Sequence, residues 1–95
     1  MDIIEKSVNI FKTLGDLTRF QIITTLINGE KPVSMIASEI KKSQSAVSHQ
    51  LKILKDNDLV KSERRGKEVY YDLVDQHVKA IIEQIYNHAS HSINE

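Results

Sequence analysis

Pro32-Val33-Ser34-Met35-Ile36-Ala37-Ser38-Glu39-Ile40-Lys41-Lys42-Ser43-Gln44-Ser45-Ala46-Val47-Ser48-His49-Gln50-Leu51-Lys52-Ile53-Leu54-Lys55 decides the fold. Val33, Ile36, Ala37 and Ile40 recur at helical spacing, so Pro32–Ile40 reads as a short helix with that stripe inward. Lys41-Lys42-Ser43 is a tight turn. Ser43 or Gln44 then opens a second helix through Ala46, Val47, Leu51, Ile53 and Leu54, about 43–56. Two short helices joined by so brief a turn form a helix-turn-helix, whose second helix lies in the DNA major groove and meets base edges near its N-terminus.

The chain on either side completes a known plan. Downstream the period shortens to two. Leu59–Arg64 and Glu68–Leu73 are rich in β-branched and aromatic residues, with Arg65-Gly66-Lys67 as the tip between them. That hairpin, about 59–73, is a wing. A last helix, about 75–91, follows Asp75 with Val78, Ile82, Ile85 and Ala89 on one stripe. Upstream, Ile3, Ile4, Val8, Ile10, Phe11 and Leu14 mark a first helix over about residues 2–13. Asp16 caps a second, with Phe20, Ile22, Ile23, Leu26 and Ile27 apolar and Gly29 as its stop. The expected fold is mainly α with one β-hairpin: a single winged helix-turn-helix domain over 1–95.

Composition narrows the function. Ninety-five residues suffice for one domain, and a chain of this size buries only about two-thirds of its unfolded surface, which favours burying more in a dimer. No cysteine is present, which excludes disulfides, thiol catalysis and thiolate metal sites. The opening Met1-Asp2-Ile3-Ile4-Glu5-Lys6 lacks a basic stretch followed by an apolar core, so no signal peptide is expected. No apolar run approaches the roughly 20 residues of a membrane span. A cytoplasmic protein with no membrane partner is expected. Net charge is zero, but Lys41–Lys67 holds eight basic residues against three acidic ones, leaving the rest of the chain at −5. The basic excess coincides with the recognition helix and the wing, which points to double-stranded DNA. On the helix the candidate contacts are Ser43, Gln44, Ser45, Ser48, His49 and Lys52; at the wing they are Arg64, Arg65 and Lys67.

Three of the four histidines lie on the last helix, giving Asp75, His77, His88 and His91. Carboxylate and imidazole suit Zn(II), and four such ligands close a tetrahedral site. His77 and His88 are about 20° apart around the helix axis but about 16 Å apart along it, so one copy cannot bring both to one ion. His88 and His91, at i and i+3, can share one. Asp75 joins His77 only from a non-helical cap position. Two antiparallel copies would place Asp75 and His77 of one chain against His88 and His91 of the other, giving two sites per dimer.

Ser43–Lys55, Phe11-Lys12-Thr13-Leu14-Gly15-Asp16-Leu17-Thr18-Arg19, and Leu59-Val60 with Arg64-Arg65-Gly66-Lys67 and Tyr70-Tyr71 resemble the ArsR/SmtB family of metal-responsive repressors over residues 6–91. The Asp-x-His, His-x-x-His pattern is similar to that of the branch that senses zinc on the last helix. The resemblance implies a homodimer through the first and last helices, binding an inverted-repeat operator when metal-free. It implies release by Zn(II), or Co(II), and control of a metal-efflux or resistance gene. It also implies that the free ring nitrogen of His88 donates to a backbone carbonyl near Asp58. Some members carry cysteines on the third helix; Pro32-Val33-Ser34-Met35-Ile36 has none, so sensing of arsenite, cadmium or lead there is not supported. The alternatives are a winged-helix regulator with a non-metal signal, or one tuned to Ni(II) or Co(II). A zinc hydrolase is disfavoured because no His-Glu-x-x-His is present, and no enzyme is expected.

Overall fold

A computed structural model describes residues 2–94. Its elements are α1 (Ile3–Leu14), α2 (Leu17–Thr25), β1 (Lys31–Pro32), α3 (Val33–Ile40), α4 (Gln44–Asp56), β2 (Val60–Arg65), β3 (Glu68–Leu73) and α5 (Gln76–Asn94). This is a winged helix-turn-helix, as the sequence predicts. The starts of α1, α2 and α4 have a local cause. Asp2 accepts from the Glu5 N–H, Asp16 from the Arg19 N–H and Ser43 from the Ala46 N–H. Each thereby satisfies one of the donors a helix leaves unpaired at its N-terminus.

The core lies under the helix-turn-helix. Ile22, Ile23, Leu26, Ile36, Val47, Leu51, Leu54, Leu59 and Ile82 are buried almost completely. Val47, Leu51 and Leu54 sit at i, i+4 and i+7, so burying them turns the polar face of α4 outward. Lys41, left-handed at φ 59°, reverses the chain between α3 and α4. Arg19 ties three helices together: its Nε donates to the Thr13 carbonyl at 2.8 Å and Nη1 to Gln50 Oε1 at 3.1 Å.

Three boundaries differ from the sequence reading. Helix α2 ends at Thr25, before Gly29; Leu26 begins a turn, and Gly29, at φ 125°, takes a conformation that glycine tolerates. Pro32 does not open α3 but caps it and pairs with Tyr70, while Lys31 pairs with Tyr71, making a third strand. The sheet order is β1-β3-β2, fully antiparallel. Arg65 belongs to β2, opposite Glu68, so the turn is Gly66-Lys67 alone.

Candidate functional site

On α4 the side chains of Gln44, Ser45, Ser48, His49 and Lys52 are exposed, and Ser43 caps the helix just ahead of them. The Ser43 and Ser45 hydroxyls lie 3.3 Å apart. This polar surface is continuous and carries no apolar side chain from the core stripe. Gln50 is turned away and held by Arg19. The last turn of α4 is fixed to the wing, because Lys55 Nζ donates to Ser62 Oγ at 2.7 Å.

At the wing the two arginines part company. Side chains alternate along a strand, so Arg64 shares a face with Ser62 and the buried Val60, and Arg65 shares the other with Glu63. Arg64 and Lys67 are exposed and have no carboxylate partner among the described residues. Arg65, which the sequence grouped with them, is instead occupied. Its Nη1 and Nη2 donate to the two Glu30 oxygens at 2.7 and 2.9 Å, and its Nε donates to Glu63 Oε1 at 3.1 Å. Its guanidinium also lies 4.5 Å from the Tyr70 ring centroid. The Glu30 and Glu63 hydrogen bonds hold the Arg65 pKa above its ordinary value, and the Arg65 hydrogen bond holds Glu63 below the usual carboxylate range.

The last helix presents two separate groups. Asp75 precedes α5 and its Oδ1 accepts from the Val78 N–H at 3.0 Å, a cap. From that position Oδ2 lies 3.4 Å from His77 Nδ1. The Val78 N–H hydrogen bond first, and His77 with it, hold the Asp75 carboxyl below the usual carboxylate range. The His77 side chain is 91% exposed. His88 and His91 are exposed near the other end of α5. Among the described residues no three His, Cys, Asp or Glu side chains converge on one point. The chain therefore carries the four candidate ligands as two pairs.

Helices α1 and α5 also expose apolar side chains. Ile4, Val8 and Phe11 on α1 and Ile81, Ile85 and Tyr86 on α5 are all at least 40% exposed. A groove of about 160 Å³ runs between the two helices, lined by Ile10, Phe11, Leu14, Val78, Ile81 and Ile82 among others.

The model of the bacterial regulatory protein arsR family matches residues 16–62, the span from the α2 cap into the wing. A transcriptional repressor SmtB homolog from Synechocystis sp. is 37% identical over 92 residues, 97% of this chain and 70% of that protein. The chain belongs to the arsR family. Another relative, the cadmium resistance transcriptional regulatory protein CadC homolog of Staphylococcus aureus, is 40% identical over 83% of this chain and 66% of its own length. Among solved structures, a homodimeric winged helix-turn-helix DNA-binding domain from Mycobacterium bovis, described as a possible ArsR-family regulator, superposes with a TM-score of 0.88. It is 25% identical, over 96% of this chain and 84% of that one. The arsR relatives are transcriptional regulators, not enzymes. No described helix is long and apolar enough to cross a membrane.

The sequence missed two members of this surface, Lys55 and Glu30. Lys55 was visible as a last-turn cation, but its Ser62 partner is fixed only by the fold. Strand alternation was the signal that could have separated Arg64 from Arg65.

Proposed function

We propose that this chain acts as a homodimeric, metal-responsive repressor whose metal-free form binds an inverted-repeat operator and whose DNA affinity falls when Zn(II), or Co(II), is bound. The observation that carries the reading is the division of α5: Asp75 with His77 at one end, His88 with His91 at the other, and exposed apolar surface between. Half-sites too far apart to serve one ion in one copy become whole sites when two copies pair antiparallel.

The residues fit the ion. One carboxylate and three imidazoles, without thiolate, match tetrahedral Zn(II), and Asp75 at 3.4 Å from His77 already brings two donors together. When bound, the ion supplies a tie among the four donors and withdraws electron density from them. The residues do the rest. The Asp75 cap keeps its carboxylate aimed beside the first turn of α5. Ile4, Val8, Phe11, Ile81 and Ile85 supply apolar area for the partner to cover. Ser43, Gln44, Ser45, Ser48, His49 and Lys52 face the major groove, with Arg64 and Lys67 at the wing tip over phosphate. The imidazole nitrogen of His88 left free by ligation donates to the backbone near Asp58, joining the sensor helix to the chain just after α4.

Regulation requires that metal favour a dimer shape in which the paired recognition helices no longer match successive major grooves. The coupling is reciprocal, so operator DNA weakens metal binding by the same factor. By the family resemblance the regulated gene serves metal efflux or resistance. Fluorescence anisotropy of a duplex carrying the chain's own promoter tests the reading. One equivalent of Zn(II) per chain is expected to lower affinity at least about fivefold, the lower end of common allosteric couplings. Equal affinity with and without Zn(II) would leave a DNA-binding regulator with another signal.

A further inference from the structure

We propose that Arg65 is a positioning residue that staples the three-stranded wing across its outer face, and that phosphate contact at the wing belongs to Arg64 and Lys67. The inference rests on the DNA-binding reading above and changes the role of one of its cations.

The geometry separates the two arginines. Arg65 stands on β2, its guanidinium passes over Tyr70 of β3, and its fork closes on Glu30, the residue that precedes β1. One side chain therefore spans all three strands. The strand it reaches is the one least able to hold itself, since β1 has only two paired residues and one of them is Pro32, which has no N–H to give. The adjoining contacts continue the brace: Lys31 Nζ lies 2.9 Å from Glu39 Oε2 on α3, and Ser34 Oγ donates to Glu68 at 2.8 Å. The sheet is thereby fixed to α3 at two points.

Charge excludes a simple phosphate role. Arg65 with Glu30 and Glu63 forms a cluster of net −1, and all three guanidinium nitrogens already donate. A phosphate arriving there would have to displace a carboxylate and meet the other. Arg64 points to the opposite face, the one whose Ser62 receives Lys55 from the recognition helix.

The test compares full-length Arg64→Gln, Lys67→Gln, Arg65→Gln, Arg65→Lys and Glu30→Gln on the promoter duplex at a series of salt concentrations. Each lost phosphate contact removes about 0.9 from the salt slope, so Arg64→Gln or Lys67→Gln should flatten it by about 2 in a two-winged dimer. Arg65→Gln, Arg65→Lys and Glu30→Gln should weaken binding at an unchanged slope. Lysine keeps the charge but lacks the fork, so it should not rescue the staple. Two results would overturn the proposal: a slope flattened by Arg65→Gln as by Arg64→Gln, or one steepened by Glu30→Gln through a freed cation. Thermal unfolding reads the staple without DNA, so it decides that half of the proposal even if the duplex does not bind. Arg65→Gln is expected to lower Tm by about 4 °C, and Glu30→Gln added to it should cost nothing further. An additive loss would mean that the two residues are not partners.

Discussion

Single residues here carry separable duties. Ser43 caps α4 through the Ala46 N–H and lies on the proposed DNA face, whereas Ser48 is exposed on that face with no cap to make. Ser43→Ala should therefore destabilise the fold by about 1 kcal/mol as well as weaken DNA binding. Ser48→Ala should weaken DNA binding alone. Urea unfolding paired with anisotropy reads both quantities, and equal stability of the two variants would show that the cap contributes nothing. Asp75 is likewise a cap that doubles as a candidate ligand, and its capping place is what brings it within 3.4 Å of His77. Residue-level reading of the sequence succeeded where the cause is local. The caps Asp16 and Ser43 and the position of Asp75 follow from side chains within three residues of the N–H they satisfy. It did not foresee the Glu30 partner of Arg65, 35 residues away. Two adjacent arginines look alike until the strand assigns them opposite faces.

At the scale of elements, strong periodicity made the helices and the hairpin legible. Strand β1 was not, because two residues bear no period and Lys31-Pro32 is a strand only by pairing with Tyr71 and Tyr70. The end of α2 was misplaced because glycine is a common stop, while here the chain leaves the helix at Leu26 and uses Gly29 for a later turn. Helices α1 and α5 show a different gap between pattern and structure. Their apolar stripes are clear in the sequence, yet Phe11 remains 64% and Ile81 52% exposed in one chain. Both line the groove between the two helices. Exposed apolar side chains beside an apolar groove are what a partner copy could cover. Phe11→Asp should accordingly yield a folded monomer with much weaker operator affinity, since each dimer half reads one half-site. Sedimentation velocity checks the first outcome. A Phe11→Asp variant that remains dimeric would move the interface elsewhere.

For the whole molecule, zero net charge conceals a basic helix-turn-helix and wing set against an acidic remainder. The basic segment runs through α4 and the wing, while the candidate metal ligands lie on α5. The two communicate only if a dimer changes shape as a unit. What the sequence alone conveyed at this scale was the division of ligands between the ends of α5, because rise per residue is fixed by the helix itself. The proposed meeting of those ends needs a second copy, so a single chain does not contain it. The most direct measurement is a mixing experiment with two defective variants, one carrying Asp75→Ala and His77→Ala, the other His88→Ala and His91→Ala. Neither should bind Zn(II) tightly alone. After subunit exchange, each mixed dimer should regain one complete site, seen as one tightly bound Zn(II) per mixed dimer. No recovery, in a mixture shown to contain mixed dimers, would contradict a site shared between two copies of α5.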